Sequence, residues 1–413
     1  MTTVLDELTL PSGWNEIPFR SVAKKVSEAG FPALESLSVF LDAGVVPRSS
    51  REDNHNQLGE SLDKYQRVMP NDLVFNKLRT WQGGFGISNY EGIVSPAYII
   101  ARPDLNLIEP RFLGYLLKSK PYLAELTRLS KWMPPTQFDI SWESIRDLKL
   151  RIPSLNEQKS MADLLDSQIT LTDQIIAIKK SQISLIWEIV AAKMSEKFLV
   201  ADGKKIRIKR LISDEKLGIW GEEPGVNPVD VLVARVADFN RNEFQLNAVE
   251  THRSVEFSQF KTRKIEKGDI LLERSGGGEN SPVGCAVYVS EDFSNLVCSN
   301  FVSRVRSSSE VDSSYLALLF AALYSCGMQR PHSSQTTGIQ NLDTESYFQT
   351  EVPFRELPEQ IELARYGREL LGSAAKVIDY LDKSIIAMQN FKSSLITSVV
   401  TGTYNFPSGR SVA

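Results

Sequence analysis

The sequence predicts a mixed α/β chain of α+β character. Two tandem domains are each followed by a long helix, and the two helices pair as an antiparallel coiled coil about a pseudo-two-fold axis. Three observations carry this prediction. A helix-opening motif occurs twice, about two hundred residues apart, as Ile152-Pro153-Ser154-Leu155-Asn156-Glu157-Gln158 and as Val352-Pro353-Phe354-Arg355-Glu356-Leu357-Pro358-Glu359-Gln360. Strand-like segments recur in the same order ahead of each motif. Both helical patterns then carry apolar residues at alternating spacings of three and four, the stripe of a coiled coil.

In the first domain Asp72-Leu73-Val74-Phe75 and Gly92 through Ile100 read as strands, from β-branched and aromatic content bounded by Gly and Pro. Glu109-Pro110 leads into a helix over Phe112–Leu117, Met133-Pro134-Pro135-Thr136 interrupts, and Asp139-Ile140-Ser141 starts a short element. The second domain repeats the order. Gly268-Asp269-Ile270-Leu271-Leu272 matches Asn71 through Phe75, Leu296 through Phe301 matches Ile93 through Tyr98, and Asp312 through Leu316 matches Glu109 through Leu113. A period this long means duplicated domains and not a solenoid.

The seam of the second helix runs through Ile378, Leu381, Ile385, Met388, Lys392, Leu395 and Val399. The same spacing places the first seam on Leu171, Ile175, Ile178, Gln182, Leu185, Ile189 and Ala192. Each seam then has one polar interruption, Gln182 or Lys392, a device that fixes register at some cost in stability. A second apolar row on the first helix, Ile169, Ile176, Ile183 and Val190, faces elsewhere, either toward its own domains or toward another protein. Roughly 40 helical residues span about 60 Å, against about 34 Å per turn of duplex DNA.

The totals bound the function. At 413 residues the chain exceeds one core. The net charge of −4 excludes a generically basic surface but leaves room for local basic faces. No window approaches the roughly 18 apolar residues of a membrane span. Met1 through Asp6 carry no basic run ahead of an apolar one, so a cytoplasmic location is expected. Cys285, Cys298 and Cys326 form no C-x-x-C, and His55, His252 and His332 are the sole histidines, so neither a metal site nor a catalytic histidine is expected. Phosphate-loop, zincin and nucleophile-elbow motifs do not occur. Asn227-Pro228-Val229-Asp230 begins like an amino-methyltransferase motif but lacks its second Pro and its aromatic, and reads as a turn.

The polar loops remain. Asn76, Lys77, Arg79, Trp81 and Gln82, followed by Gly83-Gly84, mix residues that donate to guanine or pair with adenine. Thr136 and Gln137 in the first half correspond to Gln335, Thr336 and Thr337 in the second. Arg274, Ser275, Gly276 and Gly277 form a glycine-rich loop that lets backbone N–H groups approach phosphates. Basic clusters at Lys204–Arg210 and Arg253–Lys267 line phosphates or form a solvated strand face.

These residues resemble a known family, the specificity subunits of type I restriction-modification systems. The likeness lies in Leu10-Pro11-Ser12-Gly13-Trp14, in Asn71 through Arg79 with Trp81-Gln82-Gly83-Gly84-Phe85-Gly86 and Gly92 through Tyr98, and in Ile152-Pro153 with Glu157-Gln158. It closes with Leu395-Ile396-Thr397-Ser398-Val399-Val400-Thr401-Gly402. The resemblance implies target-recognition domains at 1–153 and 201–355, long helices at 154–200 and 356–405, and a tail at 406–413. It implies a non-catalytic subunit that binds double-stranded DNA, each domain reading half of a split site. The helices set the gap and recruit two methyltransferase subunits, then motor-nuclease subunits. S-adenosylmethionine, ATP and Mg belong to those partners. Gly367 and Gly372 depart from the family's smoother helix and raise the expectation of a kink or a late start. The alternative reading is a non-catalytic, two-headed coiled-coil scaffold for other proteins.

Overall fold

The structure, a computed structural model, describes Leu5 and residues 9–51, 62–133, 137–278, 281–336 and 338–404. Thr136, Thr337 and the expected 406–413 tail lie outside the described residues, and of Gln137 and Thr336 the backbone alone is described. Contacts divide the chain into two units, Met1–Ala177 with Ile385–Ala413, and Ile178–Ser384. The long helices are therefore not segments apart from the domains, because each contributes one half to either unit.

The first unit is built on an antiparallel sheet in the order Ala23–Val26, Tyr98–Pro103, Leu73–Asn76, Phe85–Ile87. Strand periodicity sends Leu73 and Phe75 into one core with Phe112, Leu113, Leu116 and Leu117 of the helix Pro110–Lys118. Val74 points the other way, into a smaller core with Val39, Val45, Val68 and Val94 from short strand pairs. The second unit repeats the sheet as Ile212–Leu217, Val302–Ser307, Ile270–Glu273, Ala286–Tyr288, extended by Gln245–Leu246 and Phe239–Asn240.

The repetition extends to single hydrogen bonds. Asn71 and Gly268 both adopt left-handed backbone at the turn into the central strand, with φ of 74° and 93°. The Asp72 carboxylate accepts the Met69 N–H at 2.8 Å, and Asp269 accepts the Glu266 N–H at 2.8 Å. Arg102 Nε donates to Asp72 at 2.9 Å, and Arg306 Nε donates to Asp269 at 2.7 Å.

Each long helix begins with a buried glutamine that fastens it to its domain. Gln158 Oε1 accepts the Glu109 N–H at 2.9 Å while its amide donates to the Pro153 carbonyl at 3.0 Å. Gln360 Oε1 accepts the Asp312 N–H at 2.9 Å while its amide donates to the Arg355 carbonyl at 2.9 Å. The first helix, Leu155–Met194, is capped by the reciprocal Ser154–Glu157 pair and continues into a π-helical turn at Ser195–Leu199. The second, Leu357–Val400, runs without a break through Gly367 and Gly372, against the expected kink. Gly367 serves packing: a Cβ there would stand 3.0 Å from Leu318 Cδ1 and 3.2 Å from the Phe198 ring.

Within each unit the two helix halves run antiparallel. In the first, Lys392 Nζ donates to both Asp173 oxygens at 2.8 and 2.7 Å, and Met161, Ala162 and Leu165 share a core with Leu395, Val399 and Val400. In the second, the Arg355 guanidinium donates to the Lys197 and Val200 carbonyls, and Val190 and Met194 share a core with Leu371 and Ala374.

On the second helix Ile378, Leu381, Ile385, Leu395 and Val399 are buried, and Met388 and Lys392 are half-buried. On the first helix the expected seam is corrected. Leu171, Ile178, Gln182, Leu185 and Ile189 are exposed, and Ile175 is half-buried. The inward row is instead Ala162, Leu165, Ile169, Thr172, Ile176, Ile183, Val190 and Met194. The reason is register. The buried glutamines are 202 residues apart, whereas matching the interruptions Gln182 and Lys392 implied an offset of 210. The difference of eight is one more than a heptad and turns the face by about 80°. At the shorter offset Ala162 matches Ala364, Leu165 matches Gly367, Thr172 matches Ala374 and Ile176 matches Ile378, all inward-facing.

This register has a direct test. Ile176→Ala is expected to cost about 2–4 kcal/mol of stability, and Ile178→Ala less than about 0.5 kcal/mol. Urea denaturation of the two variants decides, and equal losses would favour the original seam.

Candidate nucleic-acid interface

In the first unit the loop after Leu73–Asn76 folds on itself. The Asn76 carbonyl accepts the Arg79 N–H at 3.0 Å and the Thr80 hydroxyl at 2.7 Å, and Asn76 Oδ1 accepts the Leu78 N–H at 3.2 Å. Gly84 returns to donate to the Arg79 carbonyl at 2.9 Å, so close that a Cβ would lie 2.7 Å from that oxygen. Trp81 Nε1 donates to the Leu78 carbonyl at 3.2 Å, and its ring packs on Phe138 at 5.1 Å. Phe138 in turn packs on Trp132 at 4.8 Å, across the hairpin of Lys131–Met133 and Gln137–Asp139. The aromatic stack thus docks the loop on the hairpin that carries Gln137. Asn76 and Trp81 hold the loop together, while Arg79 and Gln82 are exposed. Lys77 lines a cleft of about 360 Å³ with Lys25, Lys64 and Tyr98, whose hydroxyl pKa burial pushes up.

The second unit brings the corresponding segments together through backbone pairing. Ser275 and Gly276 pair with Asn341 and Gln340, on the hairpin of Ser333–Thr336 and Ile339–Leu342. The Arg274 carbonyl accepts the Leu342 N–H at 2.8 Å, and Ser275 Oγ donates to Asn341 Oδ1 at 2.6 Å. Gly277 has φ of 67°, and a Cβ there would lie 2.7 Å from the Val283 nitrogen. Arg274 is held 3.7 Å from Glu215, while Gln335 is exposed on the hairpin. Each hairpin stands just ahead of a one-turn helix, Trp142–Ile145 or Thr344–Tyr347, capped by Ser141 or Asp343. The two units therefore present a loop-plus-hairpin surface at the same topological place.

No family model matches the chain. The StySPI specificity subunit of a type I restriction enzyme, from Salmonella potsdam, is 20% identical over 95% of this chain and 89% of its own length. The HindI specificity subunit from Haemophilus influenzae is 24% identical over 40% of this chain and 38% of its own. A solved chain of a type I restriction-modification system superposes with a TM-score of 0.69 at 12% identity, covering 96% of this chain and all of the other. The HsdS subunit from Thermoanaerobacter tengcongensis superposes at 0.51 and 12%, covering 96% and 99%. The chain is similar in sequence to type I specificity subunits and shares the fold of the solved ones.

For a surface built from loops, the stiffness beneath them matters as much as their side chains. Glu273, fully buried beneath the glycine-rich loop, accepts from Arg241 Nη2 at 2.8 Å, and Arg241 Nη1 donates to the Tyr324 hydroxyl at 2.8 Å. Burial pushes the Glu273 carboxyl above its usual range, against the pull of Arg241. Sequence reasoning missed this brace, and missed the supporting aromatics Trp132 and Phe138. The signal in the sequence was alternation: Trp132 and Phe138 flank Met133 through Gln137, as strand residues flank a hairpin tip. Among the described residues no helix is long and apolar enough to cross a membrane, and no group of His, Cys, Asp and Glu is placed to hold a metal ion.

Arg241→Ala is expected to destabilise the second unit by about 3–5 kcal/mol, because it strands a buried carboxylate. Thermal melting of that variant and of Arg241→Ala with Glu273→Gln checks this, with the double change recovering part of the loss.

Proposed function

We propose that this chain is a DNA sequence-specificity subunit whose two domains each read one half of a bipartite site in duplex DNA. The observation that carries the reading is the pair of loop-plus-hairpin surfaces. They occupy the same place in a duplicated frame but present different chemistry: Lys77, Arg79 and Gln82 in the first unit, the Ser275–Gly277 backbone and Gln335 in the second. A shared frame with unlike tips suits a site whose halves differ. Arg and Gln supply base-edge donors and acceptors, while lysines and loop N–H groups supply phosphate contacts.

The long helices in this reading set the gap between the half-sites and recruit two methyltransferase subunits. Their outward apolar residues support that role, with Leu171, Ile386 and Phe391 exposed in the first unit and Ile178, Leu185, Ile189 and Tyr380 in the second. Bare apolar rows on otherwise packed helices mark protein docking faces. The methyltransferase and motor-nuclease partners carry S-adenosylmethionine, Mg and ATP.

Binding of the complex with its methyltransferase subunits to its target duplex tests the reading. Arg79→Ala is expected to weaken binding about ten- to a hundredfold and to relax base preference within one half-site only. Relaxation in both halves, or binding with neither sequence preference nor steep salt dependence, would favour a protein scaffold instead.

A further inference from the structure

The second unit carries a groove of about 620 Å³ beside its reading loop, walled by Trp220, Ala237, Phe301 and Ile339 and floored by Ser275 and Gly276. Trp220, Phe301 and Ile339 are 39%, 44% and 46% exposed, unusual for large apolar side chains sharing one concavity. The groove is continuous with the candidate interface. The Phe301 carbonyl accepts the N–H groups of Arg274 and Ser275 at 2.8 and 3.2 Å, and Ile339 belongs to the strand that pairs with Ser275 and Gly276.

The cations at its rim are already matched. Arg235 pairs with Asp238 at 3.0 Å, and Arg253 pairs with Glu223 while stacking over Trp220 at 4.8 Å. A phosphate therefore finds neutralised guanidinium groups and, apart from the uncharged Ser275, Ser299 and Asn300, apolar walls, which repay little of its desolvation. A base pair offers one apolar group in the major groove, the thymine C5-methyl.

We infer that this groove reads the C5-methyl of a thymine in one half-site, with Phe301 and Ile339 as specificity-determining contacts. The inference rests on the DNA-reading function proposed above. It adds that the second domain distinguishes at least one T·A pair by apolar contact, where the first presents Lys77, Arg79 and Gln82.

A uracil scan tests it, using the complex with methyltransferase subunits and its target duplex as defined by methylation. Replacing each thymine in turn by uracil removes one methyl group and nothing else. At one or more positions the substitution is expected to weaken binding about four-fold, the transfer free energy of one buried methyl. Phe301→Ala is expected to bind the thymine and uracil duplexes equally at that position, and Ile339→Ser to narrow the difference. Both side chains are substantially exposed, so the melting temperature stays unchanged and the other half-site is still read. A target without thymine in either half-site, a scan with no responsive thymine, or a response that persists in both variants overturns the inference. Loss of sequence preference for the unmodified duplex by the unaltered complex would instead overturn the function on which it rests.

Discussion

A side-chain amide taken out of water without partners costs several kcal/mol, and this chain buries two of them at the starts of its long helices. Gln158 and Gln360 are 1% and 3% exposed. Each bonds the backbone N–H just ahead of a domain helix with its oxygen and a carbonyl at the helix entry with its nitrogen. These bonds have geometric consequences. They fix where each long helix leaves its domain and which of its faces turns inward. Ala162, Leu165, Thr172 and Ile176 follow from Gln158 as Ala364, Gly367, Ala374 and Ile378 follow from Gln360. The small residues among them let the paired helix approach closely, and Gly367 is required there by Leu318 and Phe198.

Around those anchors the domains share their frame and differ at their tips. The frame is fixed by buried or partly buried charge: Asp72 with Arg102, Asp269 with Arg306, each aspartate also closing the turn before the central strand. The tips are held by different means. An aromatic stack through Trp81, Phe138 and Trp132 holds the first, and backbone pairing above the Glu273–Arg241 brace holds the second. Two supports that share no residue types leave each tip free to carry its own chemistry while the sheet beneath stays the same. The exposed Arg79 of the first tip and the apolar groove beside the second are the result.

Much of this was legible in the sequence where local chemistry decides the outcome. The central strands announced themselves through runs of Leu, Val, Ile and Phe after a left-handed Asn71 or Gly268, and the second helix through a strict alternation of three and four. The first helix was misread because it is apolar on two rows, and periodicity alone does not say which row meets the partner. The glutamine anchor does say so, because Gln158 and Gln360 set the two helices 202 residues apart and not 210. Gly367 looked like a breaker because its partners, Leu318 and Phe198, are remote in sequence. The polar loop residues were found by type, yet type could not separate Asn76, which holds its own loop, from Arg79, which stays exposed.

In the proposed function the long helices are a ruler between two independent reading heads. Inserting one heptad into both helices, after Ile178 and after Met388, keeps the inward faces in phase while lengthening the pair. Sequencing the methylated bases of cells that express this variant with the proposed methyltransferase subunits should return the same two half-sites with a longer gap. An unchanged gap, or altered bases in either half, would contradict it.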